Sequence, residues 1–477
     1  MTRFAAVRAV RQHQWPPLNY LAGLNHLPRR QRVVRALVIA VTVGCALMVL
    51  TNFVIAPLTG HFTGRFEDFG FILDGGRAAN AGADPYGPFL AQAPTTQVIH
   101  LGFDYLPIVA VLVRPLAALP YHVAATLWLW FILGCTVAGV VIGARATLPT
   151  GWPRVAIGFC TIVLFPATTY NLWHGQMNAV VLLTLALALR AWIRGDQITC
   201  GVALGLGGIA KVAPLALLLL LIRRRWWRGL LAGTATFAVS LLLGGVFLGF
   251  DRVTEWFTGV LPVLGRVDGW YLNEGIGGLL SRIFDHNVWR LDPPLPALQV
   301  AVTLISASCV LTVAWLVRAG QASPERRSLE FGTAILAMVL AGAVAWWSDY
   351  GSLALALLVL LGLVARGILP RPVAVAGALF AVCAGVGASV FFGFYGQGWI
   401  PATLGTPWWL PALQIDSIPG YTAVILLVTL LFALAAAPEM AASQRGRATQ
   451  LFEAPWGERR FPRVTRSPRS APSGEPR

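Results

Sequence analysis

The sequence predicts an all-α polytopic membrane protein, and three observations carry that prediction. Hydrophobic residues make up 57% of the chain and charged residues only 12%, about half the charge of an ordinary soluble domain. Apolar runs of about twenty residues recur along it, the length that crosses a bilayer as a helix. Arginines gather at the ends of those runs and in both tails, as expected of cytoplasmic segments. The formal net charge of +16 therefore reads as membrane topology, and no nucleic-acid partner is expected.

Taken in order, residues 1–33 are basic and polar, with Arg3, Arg8, Arg11, Arg29, Arg30 and Arg32. They lack the apolar core and cleavage site of a removable signal. The first span follows at about 34–57, which puts the N-terminus in the cytoplasm and residues 59–104 outside as a long first loop. Further spans read near 121–143, 228–249, 297–317, 329–347, 351–365, 372–394 and 420–437. RRRWWRG (223–229), Arg318, Arg326, Arg327, Arg366 and Arg371 mark cytoplasmic turns. They leave 251–296 as a second outer loop, with the Ser348-Asp349-Tyr350 turn and residues 395–419 on the same side. The membrane domain is thus 34–437. Beyond it, 438–477 reads as a disordered basic cytoplasmic tail able to meet anionic headgroups. Two cytoplasmic ends require an even number of crossings.

The middle of the chain admits two courses. If 105–119 crosses, His174–Asn178 faces the cytoplasm and Arg145, Arg154 and Arg194 face out, against the charge bias. If 105–119 lies along the outer surface and 199–222 forms a re-entrant hairpin tipped at Lys211, those arginines return inside. The polar motifs then move to the outer face. The arginines favour the second course, and parity holds in both.

The most informative stretch runs from Arg65 to Pro107. It holds Glu67, Asp68, Asp74, Asp84 and Asp104, five of the chain's twenty acidic residues, whereas a plain connector needs only a few residues. Asp68 lies within reach of the membrane surface, where a carboxylate can take a proton from an attacking hydroxyl. Glu67 is adjacent and points elsewhere if the segment is helical. Asp84-Pro85-Tyr86-Gly87 has turn chemistry, with Tyr86 a candidate wall for sugar or lipid. Asn171–Asn178 (NLWHGQMN) is a polar island suited to hydroxyl-rich ligands, although ordinary helix connections contain such residues too. Lys211 is the sole lysine of the chain and sits in an apolar run. An ionisable residue there is costly and is a functional hypothesis by default; its compact ammonium suits a phosphate. The alternative is a lysine paired internally or snorkelling to the interface. Arg266, Asp268, Tyr271, Asn273, Glu274 and Arg282 belong to the second outer loop, and Asp349 closes a late span on the side of Asp68. The six cysteines form no CxxC pair and no His/Cys cluster has zinc spacing. Neither disulfide, metal nor cofactor is expected.

Several motifs occur in one order: Asp68, GADPY (82–86), FDYLP (103–107), RPLAALP (114–120), GQMN (175–178), IAKVAP (209–214), RRRW (223–226) and YLNEG (271–275). In this the chain resembles glycosyltransferase family 87 of the GT-C enzymes, over roughly residues 35–437. Two departures stand out. AVAWWSDYG (343–351) lacks the histidine that often follows the late tryptophan in the family, and the outer loop reads Asn-Glu-Gly where Asn-Gln-Ser is commoner.

The resemblance implies a GT-C fold with about 10–13 transmembrane helices. It also implies transfer of mannose or arabinofuranose from a polyprenyl-phosphate sugar to an envelope glycan or glycolipid. The family's catalytic carboxylate carries over to Asp68. Lys211, with Arg266 and Arg282, then becomes the donor-phosphate set. The expected sugar or acceptor contacts are Glu67, Tyr86, Tyr105, His174, Gln176, Asn178, Asn273 and Asp349. A lipid-linked donor agrees with the lack of any Rossmann-type glycine loop for a nucleotide sugar. The site is expected on the outer face of the cytoplasmic membrane. Two other readings stay open: a flippase or transporter of a lipid-linked sugar, and an inactive scaffold for envelope assembly.

Overall fold

The computed structural model describes residues 29–60, 66–92, 102–150, 152–267, 273–285, 296–384 and 417–436. These form helices and connecting turns, with no strand among the described residues. In lipid a spanning segment must satisfy its own backbone, which a helix does internally. Among the described residues, five helices are long and apolar enough to cross a bilayer: Ile39–Leu58, Tyr121–Thr147, Trp227–Leu248, Pro296–Leu316 and Trp347–Ala365. A sixth arises if Ala156–Leu164 and Pro166–His174, bent by 60°, count as one broken span; Pro166 forces that break. The chain is an all-α polytopic membrane protein. Other apolar segments form shorter helices, such as Asn178–Arg194 and Pro324–Leu340 at 17 residues each.

Large apolar side chains face outward where lipid would meet them, including Leu231, Val246 and Phe247 of the Trp227–Leu248 helix and Leu304, Leu311 and Trp315 of Pro296–Leu316. Close helix approach comes from small residues, as is usual where lipid supplies no hydrophobic drive between helices. A Cβ on Gly201 or Gly205 of the Gln197–Ala210 helix would overlap the carbonyls of Gly229 and Gly233 on the Trp227–Leu248 helix.

The middle of the chain forms a hairpin at Lys211. Pro107–Ala117 is a helix of 11 residues, about 16 Å long at 1.5 Å per residue against an apolar layer of about 30 Å. It packs along the Glu67–Ala81 helix. Helix Gln197–Ala210 stops at Lys211, whose φ of −153° and ψ of 142° are extended. A 3-10 turn (Ala213–Leu217) and a short helix (Leu218–Arg223) then lead back. Lys211 thereby occupies the tip of a hairpin.

At the hairpin's base lies a buried arginine network. Arg224 donates to Glu330 at 2.6 Å and sits 4.7 Å over the Trp192 ring. Arg326 reaches Glu330 at 3.2 Å and the Leu434 carbonyl at 2.8 Å. The Trp192 indole donates to the Arg327 carbonyl at 3.0 Å, and Arg327 returns a bond to Ile193. Residues 192–197, 224–229, 316–330 and 434 therefore share one end of the bundle, opposite Lys211.

This polarity is testable by cysteine labelling with a membrane-impermeant reagent. Ala83→Cys and Gln176→Cys should label from one side of the membrane and Gln321→Cys from the other. Labelling of Gln176→Cys and Gln321→Cys from the same side would contradict the hairpin course.

Candidate active site

Asp68 is placed by an unusual helix start. Phe66 caps the Glu67–Ala81 helix in the left-handed region, at φ 51°, a conformation that costs a non-glycine residue roughly 1–2 kcal/mol. It is held there because its ring is buried and its N–H donates to the Trp173 carbonyl at 3.2 Å. Phe69, also buried, stacks on Trp128 with ring centroids 5.4 Å apart. Opposite them, Gly175 ends the Pro166–His174 helix at φ 72°. A Cβ there would come within 2.7 Å of Phe69, so both the backbone angle and the close approach require glycine. The Trp128 indole donates to the Gly175 carbonyl at 2.8 Å and completes the junction.

That junction joins two polar motifs 108 residues apart. The Gln176 amide donates to Asp68 Oδ2 at 2.6 Å. His174 Nδ1 stands 3.8 Å from the same oxygen, its ring stacked on Tyr170 at 4.1 Å. Burial raises the Asp68 carboxyl to about 6, against the opposing pull of the Gln176 bond and the Lys211 charge; Glu67 adds a small push upward. A carboxyl near 6 is largely ionised at neutral pH yet basic enough to accept a proton, the balance that a general base needs.

Lys211 Nζ donates to Asp349 Oδ1 at 2.7 Å. The other oxygen, Oδ2, accepts from the Trp346 N–H at 3.0 Å and caps the Trp347–Tyr350 turn. Asn171 donates to the Ser348 carbonyl at 2.8 Å. The helix that presents His174 thus also braces the turn carrying Asp349.

Residues 102–106 form the third wall. Phe103 is buried against Gly75, where no Cβ fits. The Trp256 indole donates to the Asp104 carbonyl at 3.0 Å, and the Tyr86 hydroxyl to the Tyr105 carbonyl at 2.8 Å. Burial raises the Asp104 carboxyl to about 6; the Lys211 charge lowers it and the Asp68 charge raises it. Burial lifts the Tyr105 hydroxyl well above its ordinary range, helped by the charges of Asp104, Asp68 and Asp349. Asp68, Asp104, Tyr105, His174, Gln176, Lys211 and Asp349 therefore lie in one polar cluster. Asp104 was not among the expected site residues. Its only signal was its place in the acidic stretch, one residue before Tyr105.

Other expected site residues stand elsewhere. Glu67 is exposed. Tyr86 is fully buried and acts as a brace. Its N–H is held by Asp84 Oδ1 at 2.8 Å, and Asp84 is tied to Arg252 at 3.1 Å. Asn178 is buried at the start of its helix. Asn273 spends its amide on the Ala343 carbonyl and the Gly275 and Ala345 N–H groups. Arg282, buried, donates to the Asn273 carbonyl at 2.9 Å, and the Tyr350 hydroxyl donates to the Glu274 carbonyl at 2.9 Å. These residues support the Asp349 turn from behind. Arg266 is half-buried, just after the Leu261–Leu264 helix. Asp268 and Tyr271 lie outside the described residues. No group of His, Cys, Asp and Glu among the described residues has the geometry to hold a metal ion.

Residues 103–342 match the profile of glycosyltransferase family 87, half of the chain. The chain belongs to that family. It is 31% identical over 291 residues to the polyprenol-phosphate-mannose-dependent alpha-(1-2)-phosphatidylinositol mannoside mannosyltransferase of Mycobacterium tuberculosis (strain ATCC 25618 / H37Rv), covering 57% of this chain and 66% of that protein. Two polyprenol-phosphate-mannose-dependent alpha-(1-2)-phosphatidylinositol pentamannoside mannosyltransferases are also similar. The one from Mycolicibacterium smegmatis is 25% identical over 45% of this chain and 52% of its own length. The one from M. tuberculosis (strain CDC 1551 / Oshkosh) is 28% identical over 51% of this chain and 56% of its own length. The matches thus span between about half and just under two thirds of these relatives. The family 87 match includes Asp104, Gln176 and Lys211; Asp68 and Asp349 flank it and join the site through the contacts above.

The Asp68 environment gives a prediction that needs no activity. Isotope-edited infrared titration of the purified protein should find an Asp68 carboxyl, absent in Asp68→Asn, with a midpoint near pH 6. Gln176→Leu removes the bond that favours the ionised form, worth about 1.5–3 kcal/mol, so the midpoint should rise by about one to two units. A midpoint at or below the usual carboxylate range in both proteins would contradict this picture of the site.

Proposed function

We propose that this family 87 chain is an inverting mannosyltransferase. It moves a mannosyl residue from polyprenyl-phosphate mannose to a hydroxyl of a glycolipid acceptor, on the outer face of the cytoplasmic membrane. The observation that carries this reading is the presence of a basic carboxylate, Asp68 held by Gln176, and of the chain's sole lysine, Lys211 held by Asp349, in one polar cluster at one end of an apolar bundle. Mannose as the sugar is supported by the three relatives, each named as dependent on polyprenol-phosphate mannose. The outer location is supported by the arginines, which crowd the opposite end as cytoplasmic ends do.

The chemistry is a single in-line displacement. The acceptor oxygen bonds to C1 of the donor sugar as the bond from C1 to the phosphate oxygen breaks, and the hydroxyl proton passes to Asp68. The departing polyprenyl phosphate gains negative charge on the oxygen that leaves. A fixed ammonium beside the departing oxygen stabilises that developing charge more than it stabilises the bound donor, which is the condition for rate enhancement. Lys211 supplies it, exchanging or sharing its bond to Asp349 with the phosphate. Gln176 and His174 hold Asp68 in place, and the polyprenyl tail lies among the helices in the bilayer.

Purified protein with polyprenyl-phosphate mannose and a phosphatidylinositol mannoside acceptor should form a mannosylated product. Polyprenyl-phosphate arabinofuranose serves as the comparison donor and should give none. Asp68→Asn should lose about 10²–10⁴ in turnover with donor affinity near that of the wild type. Lys211→Met should weaken donor binding about 10- to 150-fold, the loss of a charge-assisted hydrogen bond. Full transfer by Asp68→Asn would remove Asp68 as the base. Movement of intact lipid-linked sugar across vesicle membranes without any transfer would replace this reading with a flippase.

A further inference from the structure

Asp104 stands apart from the other carboxylates of the cluster. Asp68 is engaged by Gln176 and Asp349 by Lys211 and the Trp346 N–H, whereas no other described residue donates to the Asp104 carboxylate. Its backbone is fixed from two directions, by the Trp256 indole on its own carbonyl and by the Tyr86 hydroxyl on the next. Both anchoring side chains are buried, Trp256 at 2% exposure and Tyr86 at 0%. The preceding Phe103 is wedged against Gly75. A half-buried carboxylate on so constrained a backbone, with only its own N–H donating to it, is costly unless something else donates to it.

What donates follows from the geometry of the displacement. Attacking oxygen, C1 and departing oxygen lie on one line, with Asp68 at the attacking end and Lys211 at the departing end. Asp104 sits three residues before the Pro107–Ala117 helix, which packs against both the Glu67–Ala81 helix that carries Asp68 and the Gln197–Ala210 helix that ends at Lys211; it thus stands between the two ends of that line, beside the transferred ring. Ionised carboxylates are acceptors only and take two hydroxyl hydrogens at once. We infer that Asp104 accepts hydrogen bonds from the ring hydroxyls of the transferred sugar, and so makes the chain select the sugar carried by its lipid-linked donor. This inference rests on the transferase reading given above, and it adds a sugar subsite distinct from the phosphate subsite at Lys211.

The two subsites separate in binding measurements on the full-length protein, with polyprenyl-phosphate mannose and sugar-free polyprenyl phosphate as probes. Asp104→Ala should bind the sugar-bearing donor about tenfold or more weakly, the loss of a hydrogen bond to a charged group. It should bind polyprenyl phosphate as well as the wild type or more tightly, since removing a negative charge near Lys211 does not weaken an anion. Lys211→Met should weaken both probes. Should the alanine variant misfold by thermal unfolding, Asp104→Asn, of nearly equal volume, should show the same selective loss to a smaller degree. Equal weakening of both probes by the Asp104 variants, or no weakening of either, would overturn the inference while leaving the transferase reading intact. A wild-type protein that binds neither probe would overturn both.

Discussion

The bond between Lys211 and Asp349 is the constraint around which the polar end of the bundle is organised. An ammonium at the end of an apolar helix is expensive unless it is paired and partly hydrated. Here it is paired at 2.7 Å and left partly exposed at 29%. To bring it there the Gln197–Ala210 helix must stop, and the chain must turn back through a 3-10 segment containing Pro214. That turn is tight: a Cβ on Gly207 or Gly208 would press on Pro214 or overlap Leu215. Asp349 is fixed in turn by its own helical cap and by Asn171, while Asn273 and Arg282 hold the segment behind it. The pair also gives Lys211 a resting partner that an incoming phosphate can replace.

The opposite end is built for rigidity. Glu330, fully buried, accepts from Arg224, Arg326 and the Arg318 N–H, and Trp192 lies beneath the Arg224 guanidinium. Breaking such a buried pair by removing one partner costs about 3–5 kcal/mol, because the remaining charge is stranded. The network ties the base of the lysine hairpin to the Pro296–Leu316, Pro324–Leu340 and Ser417–Ala436 helices. Lys211 thus projects from a fixed base, and the Asp68 junction meets it from the other side. Such a site holds its groups before substrate arrives, which is where orientation and electrostatic catalysis gain most.

Much of this is legible in the sequence, and the rest is hidden for physical reasons. The all-α membrane class follows from composition and run length. The hairpin is one of two courses that the sequence leaves open, and the arginines favour it, since a turn at Lys211 keeps Arg194 on the same side as Arg224. Asp68 and Gln176 each stand out as polar residues beside apolar runs. Their contact does not, since it depends on Phe66 adopting a left-handed backbone and on the missing Cβ of Gly175. Asn273, Arg282 and Tyr86 read as ligand contacts because polar and aromatic residues near a site look alike in sequence, whether they face a ligand or brace a loop. Burial separates them. Asp104 carries no site expectation for the converse reason: one more acid in an acidic stretch has no pattern until anchors on its own carbonyl and the next fix it.

The central claim is that Asp68 and Lys211 hold opposite ends of one displacement. Its most direct test is a cryo-electron microscopy structure of the Asp68→Asn protein with polyprenyl-phosphate mannose bound. The account predicts the donor phosphate within hydrogen-bond distance of Lys211 Nζ and the sugar's C1 between that phosphate and residue 68. A donor seated at the Arg224–Glu330 end, or with its phosphate beside residue 68 and away from Lys211, would contradict it.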